Sequence, residues 1–312
     1  MQLYQSRNFS AFFQDTFAFI KHNGKHFFKH FFIINGGFLL VLMIFGYFFM
    51  EFYTEVVFGS MLQNDPNAID RYIDEHGGLF ILVIIIFTLV ALIFSLMMYV
   101  YPALYLKLYI VHNGKDFGTK DLINSYKSNI GKLFTYLFSG ILIAIPLLFI
   151  LGILIFVLFI TIIGLLLIPI VIGAFALFYV MALMEYLENK RGIWDSFGYS
   201  WKLMSSKFWP AVGSVGLFYL MSYLIQNIVG VIAYIFGFIK FFTVLDQSNP
   251  DPSAVMSSLS IVMIVVFIAG ILLGAFLNNA VLLNQGIVFY SLKEEHENIN
   301  TKSAIDQIGT GD

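Results

Sequence analysis

The feature that most constrains this chain is an apolar tract of about fifty residues, from Phe134 to Met184, that contains no charged side chain. A helix needs roughly 20 apolar residues to cross a hydrocarbon core about 30 Å thick. The tract is therefore too long for one crossing and predicts two, with the turn at Gly164 and Pro169, since both weaken a continuing helix. Because backbone polar groups in lipid must be satisfied within the spanning segment, we expect helices.

Four further apolar runs bring the number of predicted transmembrane helices to six. They cover residues 31–50, 78–106, 210–238 and 259–290. Composition agrees, because 59% of the 312 residues are hydrophobic and only 12% are charged, against about 25% charged in a typical soluble domain. The sequence thus predicts an all-α polytopic membrane protein and disfavours soluble enzymes and nucleic-acid-binding proteins.

Positive charge is concentrated on one side of the predicted spans. Of the 17 Lys and Arg residues, all but Arg71 and Lys240 lie before the first span, after the second, after the fourth or after the sixth. Because Lys and Arg in short loops set membrane orientation, we expect both termini to be cytoplasmic. Acidic residues dominate the other side. We interpret 51–77 as a solvated loop there, since its carboxylates lack a calcium-loop spacing.

Similar amphipathic segments precede the predicted hairpins. Aligning Ser125-Tyr126-Lys127 with Ser200-Trp201-Lys202 places Lys132 opposite Lys207, an offset of 75 residues. A weaker copy near the amino terminus has an aromatic, a lysine and an aromatic at the same relative positions: Phe19, Lys25 and Phe27. Such repeats are typical of duplication of a supersecondary unit. The sequence therefore predicts three hairpins, each preceded by an amphipathic interfacial helix.

The repeat pattern sets the predicted domain organisation. We expect one integral membrane domain over residues 1–292, with repeat units at about 8–110, 115–190 and 191–292. Residues 293–312 are polar and predict a flexible cytoplasmic tail.

The amphipathic segments also provide the candidate binding residues. A helix lying in the headgroup plane buries aromatic rings on one face and presents lysines to lipid phosphates on the other. The lysines predicted to contact lipid headgroups or a protein partner are Lys21, Lys25, Lys29, Lys127, Lys132, Lys202 and Lys207. The predicted interfacial aromatic anchors are Phe19, Phe27, Tyr126, Phe134, Trp201 and Trp209. The alternative is that these lysines only satisfy the orientation rule.

Uncharged amides are the polar groups predicted inside the spans. They are Gln226 and Asn227 in the fifth span, and Asn278, Asn279, Asn284 and Gln285 in the sixth. Because an amide facing lipid leaves donors and acceptors unmet, we expect these side chains to face the bundle interior. They would either form interhelical hydrogen bonds or line a substrate path.

Groups that could perform chemistry are scarce. No Asp, Glu, Lys or Arg lies near the centre of a predicted span, which argues against proton-coupled transport and intramembrane hydrolysis. We interpret Glu185 and Glu188 as a solvated helix end. His22, His26 and His30 have the spacing of helical metal ligands, but neighbouring lysines would repel a dication. We expect no metal, no cofactor and no enzymatic activity.

Two segments resemble a known family. Gly118–Phe134 and Gly192–Pro210 each lead into an apolar hairpin, and the second has Gly192-Ile193-Trp194-Asp195-Ser196-Phe197 before Trp201 and Phe208-Trp209. They are similar to the repeated units of the membrane domain associated with glycerophosphoryl diester phosphodiesterases and of related six-span bacterial families. In those proteins catalysis belongs to a separate soluble barrel, so the resemblance implies a bacterial inner-membrane module and transfers no catalytic residue.

These observations predict a non-enzymatic integral membrane protein. It would be a lipid-interacting scaffold or an accessory subunit of a membrane complex, with membrane lipids and possible protein partners and no nucleic acid. The alternative is a transporter or channel for a neutral or lipidic solute that uses the amides of the fifth and sixth spans. A third hypothesis is a partner of a separately encoded lipid enzyme.

Overall fold

The structure is a computed structural model. It describes residues 1–53, 56, 60, 65, 67–245 and 252–300. Within these residues it contains seven helices and no strand. In chain order they are α1 (Phe9–Phe52), α2 (Ala68–Val111), α3 (Thr119–Phe159), α4 (Ile162–Leu187), α5 (Ile193–Ser206), α6 (Phe208–Leu245) and α7 (Pro252–Glu297).

Six of the seven helices are long and apolar enough to cross a membrane. The exception is α5, which has 14 residues. Mean hydropathy reaches 3.3 in the most apolar windows of α2 and α3. The prediction of an all-α membrane protein with six transmembrane helices is confirmed.

The turn between the third and fourth spans lies at Ile160 and Thr161, so the predicted turn at Gly164 and Pro169 is wrong. The Gly164 N–H donates to the Thr161 hydroxyl over 2.9 Å and so caps α4. A Cβ atom on Gly164 would lie 2.0 Å from the Leu158 carbonyl oxygen. Glycine is therefore required for the close approach at this reversal, while Pro169 lies within α4.

Two of the three amphipathic segments are continuous with the spans that follow them. They form the first turns of α1 and α3, whereas the third is the separate helix α5. Lys207, with φ −137° and ψ 54°, separates α5 from α6. Both α3 and α5 begin after a glycine, Gly118 and Gly192, and have an aspartate in the first turn.

The packing contacts divide the chain into two compact units. Unit 1 contains Met1–Ile34, Tyr99–Ser222 and the described residues from Asn278 onward, and unit 2 contains the described residues of Asn35–Met98 and Tyr223–Leu277. Unit 1 includes all of α3, α4 and α5, and it holds most of the charged side chains of the described residues.

Close helix packing in unit 1 depends on two glycines. A Cβ on Gly173 of α4 would lie 2.9 Å from the backbone nitrogen of Gly216, and a Cβ on Gly216 would lie 2.8 Å from the Ile170 Cα. The absence of side chains lets the backbones of α4 and α6 approach, as small residues do in membrane helix pairs.

Unit 2 contains an apolar cavity of about 740 Å³. Its lining includes Phe45, Phe49, Tyr72, Val83, Phe87 and Phe267. The Phe267 ring packs directly on the backbone of Gly46, because a Cβ there would lie 1.8 Å from the ring. The Thr88 hydroxyl at the wall donates to the Ile84 carbonyl and is therefore satisfied within its own helix.

The glycine contact predicts a specific sensitivity to one added methyl group. Gly216→Ala should lower the free energy of unfolding by about 1–3 kcal/mol, because the two backbones must separate to accept the methyl group. Gly152→Ala is the matched control, since no neighbour lies within 4 Å of its Cβ position, and it should stabilise α3 slightly. Thermal unfolding in detergent measures both. Equal effects of the two variants would contradict the assigned packing.

Candidate functional site

A buried group of charges joins the carboxyl ends of α4 and α7. The Lys293 ammonium is fully buried and lies 2.5 Å from a carboxylate oxygen of both Glu185 and Glu188. Arg191 pairs with Glu185 and also with Glu297, the latter at 3.3 Å. We call Glu185, Glu188, Arg191, Lys293 and Glu297 the ionic cluster. The interpretation of Glu185 as part of a solvated helix end is wrong, because its side chain is 0% exposed.

The ionic cluster is stable only while it remains paired. Removing a charge from water costs several kcal/mol, and only close opposite charges and hydrogen bonds offset that cost. Lys293 has two carboxylate partners, and Arg191 also lies 3.6 Å from the centre of the Tyr199 ring. The three carboxylates of the cluster are balanced by its two cations together with Lys190, which pairs with Glu297 at 3.5 Å.

Two tyrosines donate to the carboxylates of the cluster. Tyr199 donates to Glu297 over 2.7 Å, and Tyr4 donates to Glu188 over 3.2 Å. Burial raises the pKa of Tyr199 well above its ordinary value, and the hydrogen bond to Glu297 raises it further. Burial, followed by the charge of Glu188, raises the pKa of Tyr4 in the same way. Both hydroxyls therefore stay protonated as donors throughout the physiological range.

The first residues of the chain pack against the end of α7. Arg7 is 2% exposed; its guanidinium donates to the Leu3 carbonyl over 2.7 Å and pairs with Asp15 at 2.7 Å. Lys207 donates to the Arg7 carbonyl and pairs with Glu295 at 2.5 Å. A segment that the sequence suggested only as a carrier of positive charge is part of the folded unit.

The predicted flexible tail is wrong for its first part. Residues 293–297 continue α7, and Lys293 is buried in the ionic cluster. The Asn300 side chain donates to the Tyr4 carbonyl. Ion pairs of Lys293, Glu295 and Glu297 hold this end of the helix in place. The remainder of the tail, 301–312, lies outside the described residues.

Two further lysines cap the end of α4. Lys132 donates to the Tyr186 carbonyl over 2.6 Å and lies over the Tyr186 ring, and Lys107 donates to the Leu187 carbonyl over 2.5 Å. Cations near the last carbonyls of a helix satisfy free acceptors and interact favourably with the helix dipole. Lys132 and Lys207, both predicted to contact lipid or a partner, are thus engaged within the protein.

The other five predicted lysines are exposed. They are Lys21, Lys25, Lys29, Lys127 and Lys202. None of them forms an ion pair with a residue that the structure describes. The basic residues of unit 1 therefore separate into those paired inside the fold and those presented at its surface.

The tryptophans also lie at the surface. Trp194, Trp201 and Trp209 are the three tryptophans of the chain, and they are 58%, 60% and 74% exposed. The opposite face of α5 is buried through residues such as Phe197 and Leu203. This helix therefore presents an aromatic face with Lys202 beside it.

The predicted aromatic anchors differ in burial. Phe134, Trp201 and Trp209 are exposed, whereas Phe19 and Phe27 are fully buried and Tyr126 is 7% exposed. Phe27 packs edge-on against Tyr101 and Tyr105, and the Tyr101 hydroxyl donates to its carbonyl. The assignment of Phe19, Phe27 and Tyr126 as interfacial anchors is therefore corrected. They are core residues. The sequence could not distinguish the two environments, because an aromatic ring is stable both in a core and at a membrane interface.

The six intramembrane amides differ in burial. Asn279, Asn284 and Gln285 are fully buried in unit 1, whereas Gln226 and Asn227 belong to unit 2 and are exposed. Asn278 is half-buried. The Gln226 amide oxygen lies 3.9 Å from the Cβ position of Gly274 on α7, whereas the expectation that Asn227 faces the interior is wrong. Asn227 instead donates to a backbone carbonyl of its own helix, that of Tyr223, over 2.8 Å, which removes the need for an interior partner.

Among the buried amides, Asn284 has a clear structural role. Its Nδ2 donates to the Thr16 hydroxyl over 3.0 Å and to the Ser214 hydroxyl over 3.1 Å. One side chain of α7 thereby joins α1 and α6. These bonds favour the interhelical role of this amide over a substrate path.

A pair of histidines on α1 contacts the connection between α2 and α3. His26 Nε2 lies 3.1 Å from the Phe117 carbonyl, so it must donate, and Nδ1 of the neutral ring accepts from the Tyr105 hydroxyl over 2.8 Å. His30 Nε2 lies 3.2 Å from His26 Nε2, and His30 Nδ1 is hydrogen-bonded to the Thr119 hydroxyl over 2.6 Å. We call His26 and His30 the histidine pair.

The sequence did not identify the ionic cluster, although it contained a usable signal. Glu185 and Glu188 end the fourth span, and Lys293 ends the sixth on the same predicted side. Opposite charges at helix ends on one side of a membrane can pair across the bundle. Which end lies beside which depends on tertiary packing.

Comparison with protein-family models, curated proteins and solved structures found no match to this chain. The resemblance to the phosphodiesterase-associated membrane domain therefore stays a prediction.

The cluster predicts an unusual response to two substitutions. Lys293→Met should lower the free energy of unfolding by about 3–5 kcal/mol, because it leaves a buried carboxylate unpaired. Adding Glu188→Gln should recover part of that loss, since Glu185 and Arg191 remain as a balanced pair. Lys202→Met, at an exposed lysine, is the control and should have little effect. Unfolding in detergent measures all three. If the double variant is no more stable than Lys293→Met alone, the assigned pairing is wrong.

Proposed function

We propose that this chain is a non-enzymatic integral membrane protein that acts as a lipid-interacting scaffold or accessory subunit of a membrane complex. Its exposed lysines in unit 1 bind anionic lipid headgroups at one side of the membrane, the cytoplasmic side in the orientation predicted from charge. A bacterial inner membrane is the setting that the sequence resemblance implies.

The observation that carries this proposal is the separation of the basic residues into paired and exposed groups. The acidic residues near the ends of α4 and α7 pair with Lys190, Arg191, Lys207 and Lys293. Lys21, Lys25, Lys29, Lys127 and Lys202 remain exposed and form no ion pair with a described residue. Each lysine near an anionic membrane surface contributes about 1 kcal/mol to binding.

The aromatic face of α5 supports the same proposal. Tryptophan favours the membrane–water boundary, where its ring is in an apolar environment and its N–H reaches water or headgroups. Trp209 is the second residue of α6, a helix long and apolar enough to cross a membrane. An exposed aromatic face that continues into a span is typical of a helix lying at the interface.

The scaffold proposal predicts stabilisation by anionic lipid. Protein in nanodiscs that contain phosphatidylglycerol should unfold at a higher temperature than protein in phosphatidylcholine alone. The combined Lys21→Gln, Lys25→Gln and Lys29→Gln variant should lose most of this difference, whereas arginine at the same three positions should keep it. The difference should also decrease with salt, because exposed charges are screened.

Two results would contradict the proposal. One is equal stability of the native protein in both lipids, and the other is an unchanged lipid effect in the glutamine variant. Mass spectrometry of proteins and lipids that co-purify in mild detergent would identify the complex.

The cavity of unit 2 favours the second candidate function, transport of a neutral or lipidic solute. Its volume of about 740 Å³ lies within the range of ligand sites, roughly 300–1,000 Å³. Its aromatic and aliphatic lining fits a hydrocarbon group. The buried amide Asn284 does not add to this case, since its bonds are structural.

A substitution that fills the cavity tests the transport alternative. Val83→Trp should abolish flux of a fluorescent lipid analogue in proteoliposomes, whereas Leu92→Trp, at an exposed position of the same helix, should leave it intact. If native protein shows no flux above empty vesicles, the alternative is wrong.

A further inference from the structure

We infer that Lys25, Lys29 and Lys115 form one site for a phosphate group, assembled from two parts of the chain. This inference deepens the proposed function and rests on it: it names the residues and the ligand chemistry of the anion-binding surface. We call these residues the lysine cluster. Lys25 and Lys29 belong to α1, and Lys115 belongs to the connection between α2 and α3.

The position of Lys115 follows from its hydrogen bond. Its ammonium donates to the His22 carbonyl over 3.4 Å. In a helix, residues three and four positions further on lie on the same face as a given residue, so Lys25 and His26 follow His22 on that face. Lys29 follows Lys25 by one further turn of α1. Lys115 therefore lies beside the face of α1 that carries Lys25 and Lys29.

The histidine pair explains why the connection stays against α1. His26 donates to the Phe117 carbonyl, and His30 is hydrogen-bonded to the Thr119 hydroxyl. Phe117 is buried and packs edge-on against both His26 and Tyr105. These contacts fix the residues directly after Lys115, so the lysine is carried by an anchored segment.

The lysine cluster brings like charges together without compensation from the described residues. Lys25, Lys29 and Lys115 are exposed and form no ion pair there. Asp116 is exposed and pairs with none of them, and the Asp121 carboxylate accepts from the Gly118 N–H. Like charges placed close together repel, so a bound anion stabilises this arrangement.

Phosphate is the anion that this geometry fits. A phosphate group has several acceptor oxygens, and ammonium groups from different directions can each donate to one of them. A lipid headgroup and free phosphate share this chemistry. The three lysines lie beside the spans of α1, α2 and α3, where headgroup phosphates are available.

A double-mutant cycle tests whether the lysines act on one phosphate group. Short-chain phosphatidic acid is titrated into the detergent-solubilised protein and its affinity is measured by calorimetry. Lys29→Gln and Lys115→Gln should each weaken binding about fivefold. The double variant should weaken binding by less than the product of the two single-variant factors, because both lysines donate to the same phosphate group. Lys127, exposed on α3, is the matched control. When Lys29→Gln is combined with Lys127→Gln, the two losses of affinity should multiply.

A charge-neutral substitution tests the anchored connection. Thr119→Val removes the hydroxyl that His30 contacts and changes no charge. It should reduce the contribution of Lys115 to binding, so that Lys115→Gln lowers the affinity for phosphatidic acid less in the Thr119→Val variant than in the native protein. An unchanged contribution of Lys115 would overturn the role of the histidine pair in forming the site.

Inorganic phosphate titrated into the same samples distinguishes the two sources of ligand. Binding of phosphatidic acid but not of inorganic phosphate assigns the site to lipid, and comparable binding of both assigns it to the free anion. If the native protein responds to anionic lipid but Lys29 and Lys115 are uncoupled, the lysine cluster is wrong and the proposed function stands. If it binds only inorganic phosphate, with Lys29 and Lys115 coupled, the cluster stands and the lipid function is wrong.

Discussion

The ion pairs of Lys293 with Glu185 and Glu188 are the interaction on which unit 1 most depends. A fully buried ammonium is strongly unfavourable unless carboxylates lie within hydrogen-bond distance, and here two lie at 2.5 Å. This requirement fixes the end of α7 beside the end of α4. Tyr4 and Tyr199 then donate to the same carboxylates, so the amino terminus and α5 are positioned by the same charges.

The paired charges and the surface lysines are separate groups. The carboxylates near the ends of α4 and α7 are occupied by Arg191, Lys207 and Lys293, whereas the exposed lysines of α1 form no ion pair with a described residue. The exposed lysines keep their charge available to an external anion. In this way the stability of the interior and the proposed lipid-binding surface are two consequences of one distribution of charge.

The sequence predicted the structure best where a residue type is stable in only one environment. A long apolar tract in lipid must form a helix to satisfy its backbone hydrogen bonds, and the six spans were predicted correctly on that basis. It worked less well for residues with two acceptable environments. Aromatic rings can lie at an interface or in a core, so Phe19 and Trp201 occupied the same position of the repeat although one is buried and the other exposed. Gly164 was interpreted as a helix breaker, whereas its role is a close backbone approach.

The sequence by itself determined the architecture, because hydropathy and the need to satisfy backbone hydrogen bonds act locally, one span at a time. It also located the lysines that the structure leaves exposed, since charge is excluded from the spans. The tertiary structure decided which charges are partners. Glu185 and Lys293 are separated by 108 positions, and nothing local to either residue specifies the other. Ion pairing depends on distance in space, and the packing of α7 against α4, through contacts such as Gly286 with Met184, brings these two residues together.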